Sequence, residues 1–164
     1  MTAAVITVSD STFAGGREDK SGPAVRALLE QHGWQVSVTE VLPDEAPRIA
    51  ARLAELADSG EVGAIFTTGG TGIALRDVTP EATRSILHRE IPGFGELMRA
   101  KGRESTALAS LSRSLAGTRG NVLIVNLPGS PRGAVESLSA IVGLMPHVLD
   151  LLRGKTEHPG NESK

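Results

Sequence analysis

The 164-residue chain is predicted to fold as an α/β protein, a three-layer α/β/α sandwich with a mainly parallel sheet and an antiparallel edge. Three observations predict it. Short β-branched runs alternate along the chain with segments of helical periodicity. Most of these runs lack polar alternation, as strands covered on both faces do. Near the end of the series a weakly alternating segment reaches Arg119-Gly120 and turns back into the strongest apolar run, which makes one pair antiparallel.

Ala3–Val8 reads as a buried strand. Pro23–Gln31 is a helix with Val25, Leu28 and Leu29 at helical spacing, capped by Ser21 or Gly22 and stopped by Gly33. Trp34–Leu42 alternates through Val36 and Val38, as a strand does. Ala46–Asp58 places Ile49, Leu53 and Leu56 on one face and Arg48, Arg52 and Glu55 on the other, an amphipathic helix. Gly63–Thr68 is a strand centred on Ala64-Ile65-Phe66. Pro80–Leu87 is a helix with Thr79 as its cap and Pro80 at its first position. Phe94, Leu97 and Met98 mark a further helix before Gly102. Leu111–Thr118 is the strand that turns back near Gly120, and Asn121–Leu127 is the clearest strand. Pro131–Arg153 is a long helix that Pro146 kinks or splits. Residues 1–154 are expected to form a single domain, with 155–164 a polar tail.

Composition narrows the function. The net charge of -2 argues against duplex nucleic acid as a partner. Aromatic residues are 2% of the chain, too few for base-stacking platforms. No cysteine is present, which excludes disulfides and thiolate metal sites and suits a reducing cytoplasm. The start lacks the basic region of a signal peptide. The uncharged run Ser137–Leu149 is too short for a bilayer, which takes about 20 helical residues, so no membrane partner is expected. The four histidines have no metal-ligand spacing, and no Gly-x-Ser-x-Gly elbow is present.

In parallel α/β sheets, ligands bind beyond the carboxyl ends of the strands. After the first strand come Ser9-Asp10-Ser11-Thr12, then Asp19-Lys20-Ser21-Gly22-Pro23; after the second comes Pro43-Asp44-Glu45. After the third comes Thr67-Thr68-Gly69-Gly70-Thr71-Gly72, followed by Arg76-Asp77-Val78-Thr79. Asn126-Leu127-Pro128-Gly129-Ser130-Pro131 closes the last strand. The glycine run allows close backbone approach and aims successive N–H groups at an anion, with the hydroxyls of Thr67, Thr68 and Thr71 as added donors. Its spacing is neither a Walker A loop nor a dinucleotide fingerprint. Asp44 and Asp77 could hold Mg²⁺ beside bound phosphates. On the residues alone, the favoured reading of Asp44 is the cap of the helix from Ala46. Ser130 caps a helix end that also presents N–H groups to an anion. Arg76, Lys101, Arg103 and Arg113 are the candidate cations for phosphate, since arginine forks suit it.

Taken in order, Asp19-Lys-Ser-Gly-Pro, Leu42-Pro-Asp-Glu, Thr67-Thr-Gly-Gly-Thr-Gly, Arg76-Asp-Val-Thr-Pro-Glu-Ala-Thr, Leu111-Ser-Arg and Asn126-Leu-Pro-Gly-Ser-Pro make a chain that resembles the MogA/MoaB family of molybdenum cofactor biosynthesis and the gephyrin G domain, from about Ala3 to Arg153. The resemblance implies a molybdopterin adenylyltransferase, which transfers AMP from Mg-ATP to the terminal phosphate of molybdopterin and releases pyrophosphate. It implies Asp44 and Asp77 as the catalytic and Mg²⁺-handling carboxylates. Thr68, Gly69, Gly70, Thr71 and Gly72 would hold nucleotide phosphates. Ser112, Asn126, Pro128, Gly129 and Ser130 would line a shared pterin and nucleotide pocket, with Ser9, Asp10 and Ser21 at its rim. It also implies a homotrimer and delivery of product to a MoeA-like molybdenum insertase. A molybdopterin-binding or scaffold paralogue of MoaB type, with little catalysis, is the alternative. A different phosphate-binding protein on a similar sheet is a second.

Overall fold

A computed structural model describes residues 1–155, so all of the expected polar tail beyond Lys155 lies outside the described residues. In chain order the elements are β1 (Thr2–Val8), α1 (Asp10–Phe13), α2 (Ser21–Gln31), β2 (Gln35–Leu42), α3 (Ala46–Asp58), β3 (Ala64–Thr68), α4 (Thr79–Arg84), β4 (Arg89–Glu90), α5 (Pro92–Arg103), a 3₁₀ turn (Ala107–Leu111), β5 (Ala116–Arg119), β6 (Val122–Leu127), α6 (Pro131–Ile141) and α7 (Met145–Leu152). They build one six-stranded sheet of order β2-β1-β3-β6-β5-β4. The first four strands in that order are mutually parallel; β5 runs antiparallel to β6 and to β4. The mainly parallel sheet with an antiparallel edge is the architecture expected from the sequence.

The period-2 geometry of strands explains why β1, β3 and β6 read as unbroken apolar runs. Val5, Phe66, Leu123 and Val125 face a core made with α2, α5, α6 and α7, where Leu29, Met98, Leu138 and Ile141 are buried. Ala4, Ile6, Ile65 and Ile124 face the opposite core, against Ile49 and Leu53 of α3 and Ala82 of α4. Both faces are covered, so alternation by polarity has no physical basis in these strands. Trp34 meets Phe66 edge-on, with centroids 5.8 Å apart and planes at 88°, an aromatic geometry that the ring quadrupole favours.

Several local expectations are corrected. The α2 helix begins at Ser21, and Ser21 and Gly22 lie inside its first turn, because the Asp19 carboxylate takes up their N–H groups. Thr79 is not a cap; its hydroxyl donates to the Gly69 carbonyl at 3.0 Å. Leu111–Thr118 is a strand only from Ala116, because the 3₁₀ turn occupies the chain as far as Leu111. The long terminal helix is two helices, α6 and α7, bent by 61°. The break falls at Val142–Leu144, ahead of Pro146, which sits in the first turn of α7 where its missing N–H costs no hydrogen bond. The short elements α1 and β4 were not foreseen; neither is long enough to show a period. Among the described residues no single helix is long and apolar enough to cross a membrane.

The connections that follow β1 and β3 lead in opposite directions across the sheet, since β2 lies on one side of this pair and β6, β5 and β4 on the other. The boundary between β1 and β3 is a topological switch point, where the strand ends open a crevice. Gly69 sits in it with φ +106°, and a Cβ there would overlap the Val8 carbonyl oxygen. Gly120, in the β5–β6 turn, also has positive φ but faces open space. Gly120→Ala is therefore expected to cost only the left-handed backbone penalty of about 1–2 kcal/mol. Gly69→Ala should cost more, because the β1–β3 strand ends must also separate. Urea unfolding of the two variants checks the order; equal losses would show that Gly69 makes no close approach.

Candidate active site

The crevice is built from four strand ends. Beyond β1, Ser9 accepts from the Thr12 N–H and starts α1. Asp10 and Asp44, beyond β1 and β2, bond reciprocally: the Asp10 N–H donates to Asp44 Oδ2 at 2.9 Å and the Asp44 N–H to Asp10 Oδ1 at 2.9 Å. Glu45, not Asp44, occupies the N-cap position of α3. The cap reading of Asp44 therefore fails, and its carboxylate is available to the crevice. Beyond β3, the Gly69 N–H reaches the Leu127 carbonyl at 3.2 Å, and Thr68 donates its hydroxyl to the Pro128 carbonyl at 2.7 Å. Beyond β6, Ser130 caps α6 by accepting from the Gly133 N–H.

Asp77 is reached by a loop from Gly69 to Val78. Its Oδ2 accepts from the Ala74 N–H at 2.8 Å. A Cβ on Gly72 would lie 2.7 Å from that same oxygen, and one on Gly70 would lie 3.0 Å from Asp44 Oδ1. The absence of side chains at these two glycines is thus what lets both carboxylates close on the loop. The charges of Asp77 and Asp44 are near enough to act on one another.

Two cavities meet over Gly129 and Ser130. One, about 380 Å³, is charged: Ser9, Asp19, Ser21, Asp44, Thr68, Gly69, Gly70 and Asp77 line it, together with Arg17, Glu18 and Lys20. The other, about 400 Å³, is mostly apolar and is lined by Thr71, Gly72, Ile73, Met98, Leu111, Ser112 and Pro128. Two expected residues are placed elsewhere. Asn126 is wholly buried, its amide donating to the hydroxyls of Thr67 and Thr83 at 2.9 Å each, because β6 is covered on both faces. Asp10 turns away from both cavities toward the Arg76 guanidinium, which meets it with two donors. The candidate phosphate cations are corrected as well. Arg76, Lys101, Arg103 and Arg113 line neither cavity: Arg76 and Lys101 pair with Asp10 and Glu104, and Arg113 binds the Asp77 loop.

Asp19 is the chief site residue that sequence reasoning missed. It accepts from the Thr7 hydroxyl at 2.6 Å and from the N–H groups of Ser21 and Gly22 while lining the charged cavity. An aspartate just ahead of a helix start is a capping signal, and that signal was present.

The acidic groups of the site are tuned in opposite directions. The Arg76 guanidinium holds the Asp10 carboxyl below its ordinary range, helped by the Asp44 N–H. Asp44 is raised. Burial is the largest cause, with the charges of Asp10 and Asp77 acting in the same sense and the Asp10 N–H opposing. Among the described residues no three His, Asp or Glu side chains gather closely enough to hold a metal by themselves. Two carboxylates, each steadied by one backbone N–H, suit a cation that takes its remaining ligands from phosphate and water, as Mg²⁺ does.

The family model for a probable molybdopterin binding domain matches residues 4–147. The chain belongs to that family. It is 40% identical over 152 residues to the molybdopterin adenylyltransferase of Helicobacter pylori strain J99, covering 92% of this chain and 86% of that protein. It is 40% identical over 153 residues to the molybdenum cofactor synthesis protein cinnamon of Drosophila melanogaster, covering 93% of this chain but only 26% of that longer protein. The crystal structure of the molybdopterin biosynthesis enzyme MoaB from Thermus thermophilus superposes with a TM-score of 0.88 at 49% identity, covering 94% of this chain and 97% of that one. The resemblance to the MogA/MoaB family is thereby established.

Asp44 supplies a pH signature for this family member. A carboxyl raised above its ordinary 3.8 in the folded state holds a proton there that the unfolded chain has released. Stability therefore falls as pH climbs from the ordinary value through the raised one, and the loss persists at neutral pH. Asp44→Asn keeps an acceptor for the Asp10 N–H and removes the buried charge. Its melting temperature should match or exceed that of the parent at pH 7, with the advantage shrinking toward pH 4. Thermal melts across that range check this; an advantage that grows on acidification contradicts it.

Proposed function

We propose that this chain transfers the AMP moiety of ATP to the terminal phosphate of molybdopterin and releases pyrophosphate. The observation that carries this is the convergence of Asp44 and Asp77 on the glycine loop, in a charged cavity that opens onto an apolar one at Gly129–Ser130. One terminal phosphate oxygen of the pterin attacks the α-phosphorus of ATP; the bond to the bridging oxygen breaks, and pyrophosphate leaves with that electron pair. The attacking group is already an anion, so no strong general base is required and positioning carries the catalysis. That agrees with a site without a histidine pair or nucleophilic serine.

The charged cavity suits phosphates. The Gly70 amide and the start of α6 present N–H groups, and Arg17 and Lys20 offset the charge of Glu18 and Asp19 on the same wall. The apolar cavity, walled by Met98, Leu111 and Pro128, suits a flat heterocycle, with Ser112 as a polar contact. Asp44 and Asp77 would hold Mg²⁺, which neutralises phosphate charge when bound. Each carboxylate keeps one oxygen on a backbone N–H, and this leaves the other for that role. The same family reading extends the proposal to a homotrimer in the cytoplasm that passes its adenylylated product to a MoeA-like insertase.

The experiment is direct. The purified chain, incubated with molybdopterin, ATP and Mg²⁺, should yield adenylylated pterin and pyrophosphate, resolved by chromatography. Asp77→Asn should fold and bind pterin but lose at least about 100-fold in turnover, the scale on which removal of one charge-stabilising group acts. Pterin binding without product in the unaltered protein would instead support a molybdopterin-binding scaffold.

A further inference from the structure

We propose that Arg113 is a positioning residue for adenylyl transfer, holding the loop that carries Asp77 from the far side of that loop. Arg113 precedes β5, in the short connection after the 3₁₀ turn. Its backbone N–H donates to the Thr71 carbonyl at 2.9 Å. Its Nε donates to the Gly72 carbonyl at 2.6 Å. One Nη donates to the carbonyl of Asp77 itself, and the other pairs with Glu81 in α4. Every nitrogen of the residue is thus engaged with the stretch from Thr71 to Glu81.

That stretch needs an outside support. Between Gly72 and Asp77 it buries little: Ile73 is 72% exposed and Leu75 fully so. Its internal bonds join Ala74 and Asp77 to each other and form a small turn without attaching it to the sheet. Thr79 anchors one end on the carbonyls of Gly69 and Gly70. The middle is tied from outside by the Arg76–Asp10 pair at the surface and by Arg113. The Arg113 backbone is itself braced, since Arg99 of α5 donates to the Ser114 carbonyl at 3.0 Å. A guanidinium has a planar fork of donors that spans two carbonyls and a carboxylate at once, which a lysine ammonium on its flexible stem does not. The connection also places Ser112, on the apolar cavity, one residue from the group that holds Asp77, on the charged one. Arg113 therefore sets the spacing between the two cavities.

The role in turnover rests on the adenylyl-transfer reading, whereas the role in holding the loop does not, and two measurements separate them. Turnover is measured for Arg113→Ala and Arg113→Lys. Both should lose kcat by about 100-fold, the cost of a misplaced reacting group, with KM for molybdopterin little changed. Free guanidinium at millimolar concentration should restore part of the Arg113→Ala rate, and ammonium should not. Glu81→Gln removes only an exposed charge partner and should stay within about three-fold of the parent. Amide hydrogen exchange is measured on the same variants. The Ala74 and Asp77 amides should exchange at least about ten-fold faster in Arg113→Ala, with β6 amides unchanged. Full activity in Arg113→Lys, or no rescue by guanidinium, overturns the role in transfer. Unchanged exchange at Ala74 and Asp77 overturns the role in holding the loop, including in the case where the unaltered protein makes no adenylylated product.

Discussion

The close approach of Gly69 to the Val8 carbonyl at the β1–β3 boundary is the constraint on which the site depends. Here the ends of β1, β3 and β6 come into backbone contact, because Gly69 approaches the Val8 carbonyl and bonds to Leu127, and Gly129 packs over Gly69. Thr68 and Thr79 close the arrangement by donating hydroxyls to the carbonyls of Pro128 and Gly69. The result is a rigid floor, and the walls above it are left for ligands. A floor made of backbone presents amides at fixed positions, so they need no reorganisation when negative charge arrives.

Charge is arranged on this floor at some expense to stability. Asp44 is partly buried and feels the charges of Asp10 and Asp77, which raise its pKa. Asp10 does not share that cost, because Arg76 draws its carboxylate outward and lowers its pKa. Asp10 thus becomes a brace, supplying its N–H and an oxygen to Asp44, while Asp19, Asp44 and Asp77 line the cavity. Two like charges held together are unfavourable until a cation and phosphates arrive, and this is the expected character of a site tuned for binding and not for the resting fold.

The legible part of the fold was that governed by nearest-neighbour pattern. Continuous apolar runs in β1, β3 and β6 follow from burial on both faces, and the glycine run after β3 follows from close packing at a strand exit. Part of the site was not legible because a residue's partner is distant in the chain. Asn126 ends a strand beside a polar loop and reads as a site residue, yet its amide is 59 residues away in sequence from the Thr67 hydroxyl it meets. Asp10 reads as a rim residue until Arg76 is brought across to it, a separation of 66 residues. Thr79 has the composition of a helix cap, but a buried carbonyl competes for its hydroxyl. The break between α6 and α7 lies ahead of Pro146 because a proline is stable in a first turn and disruptive in an interior one.

The amino-acid order by itself determined the alternation of strands and helices, the burial of the central strands and the chemical character of the segments at their ends: glycine amides, hydroxyls and two aspartates. These follow from periodicity, turn preference and side-chain chemistry, all of which act over a few residues. Only the tertiary structure decided which acidic groups face the crevice, that the crevice is two cavities joined at Gly129 and Ser130, and that Arg113 turns to the loop and lines neither cavity. Those outcomes depend on strand order, which sets the switch point between β1 and β3, and on hydrogen bonds between groups that local sequence does not relate.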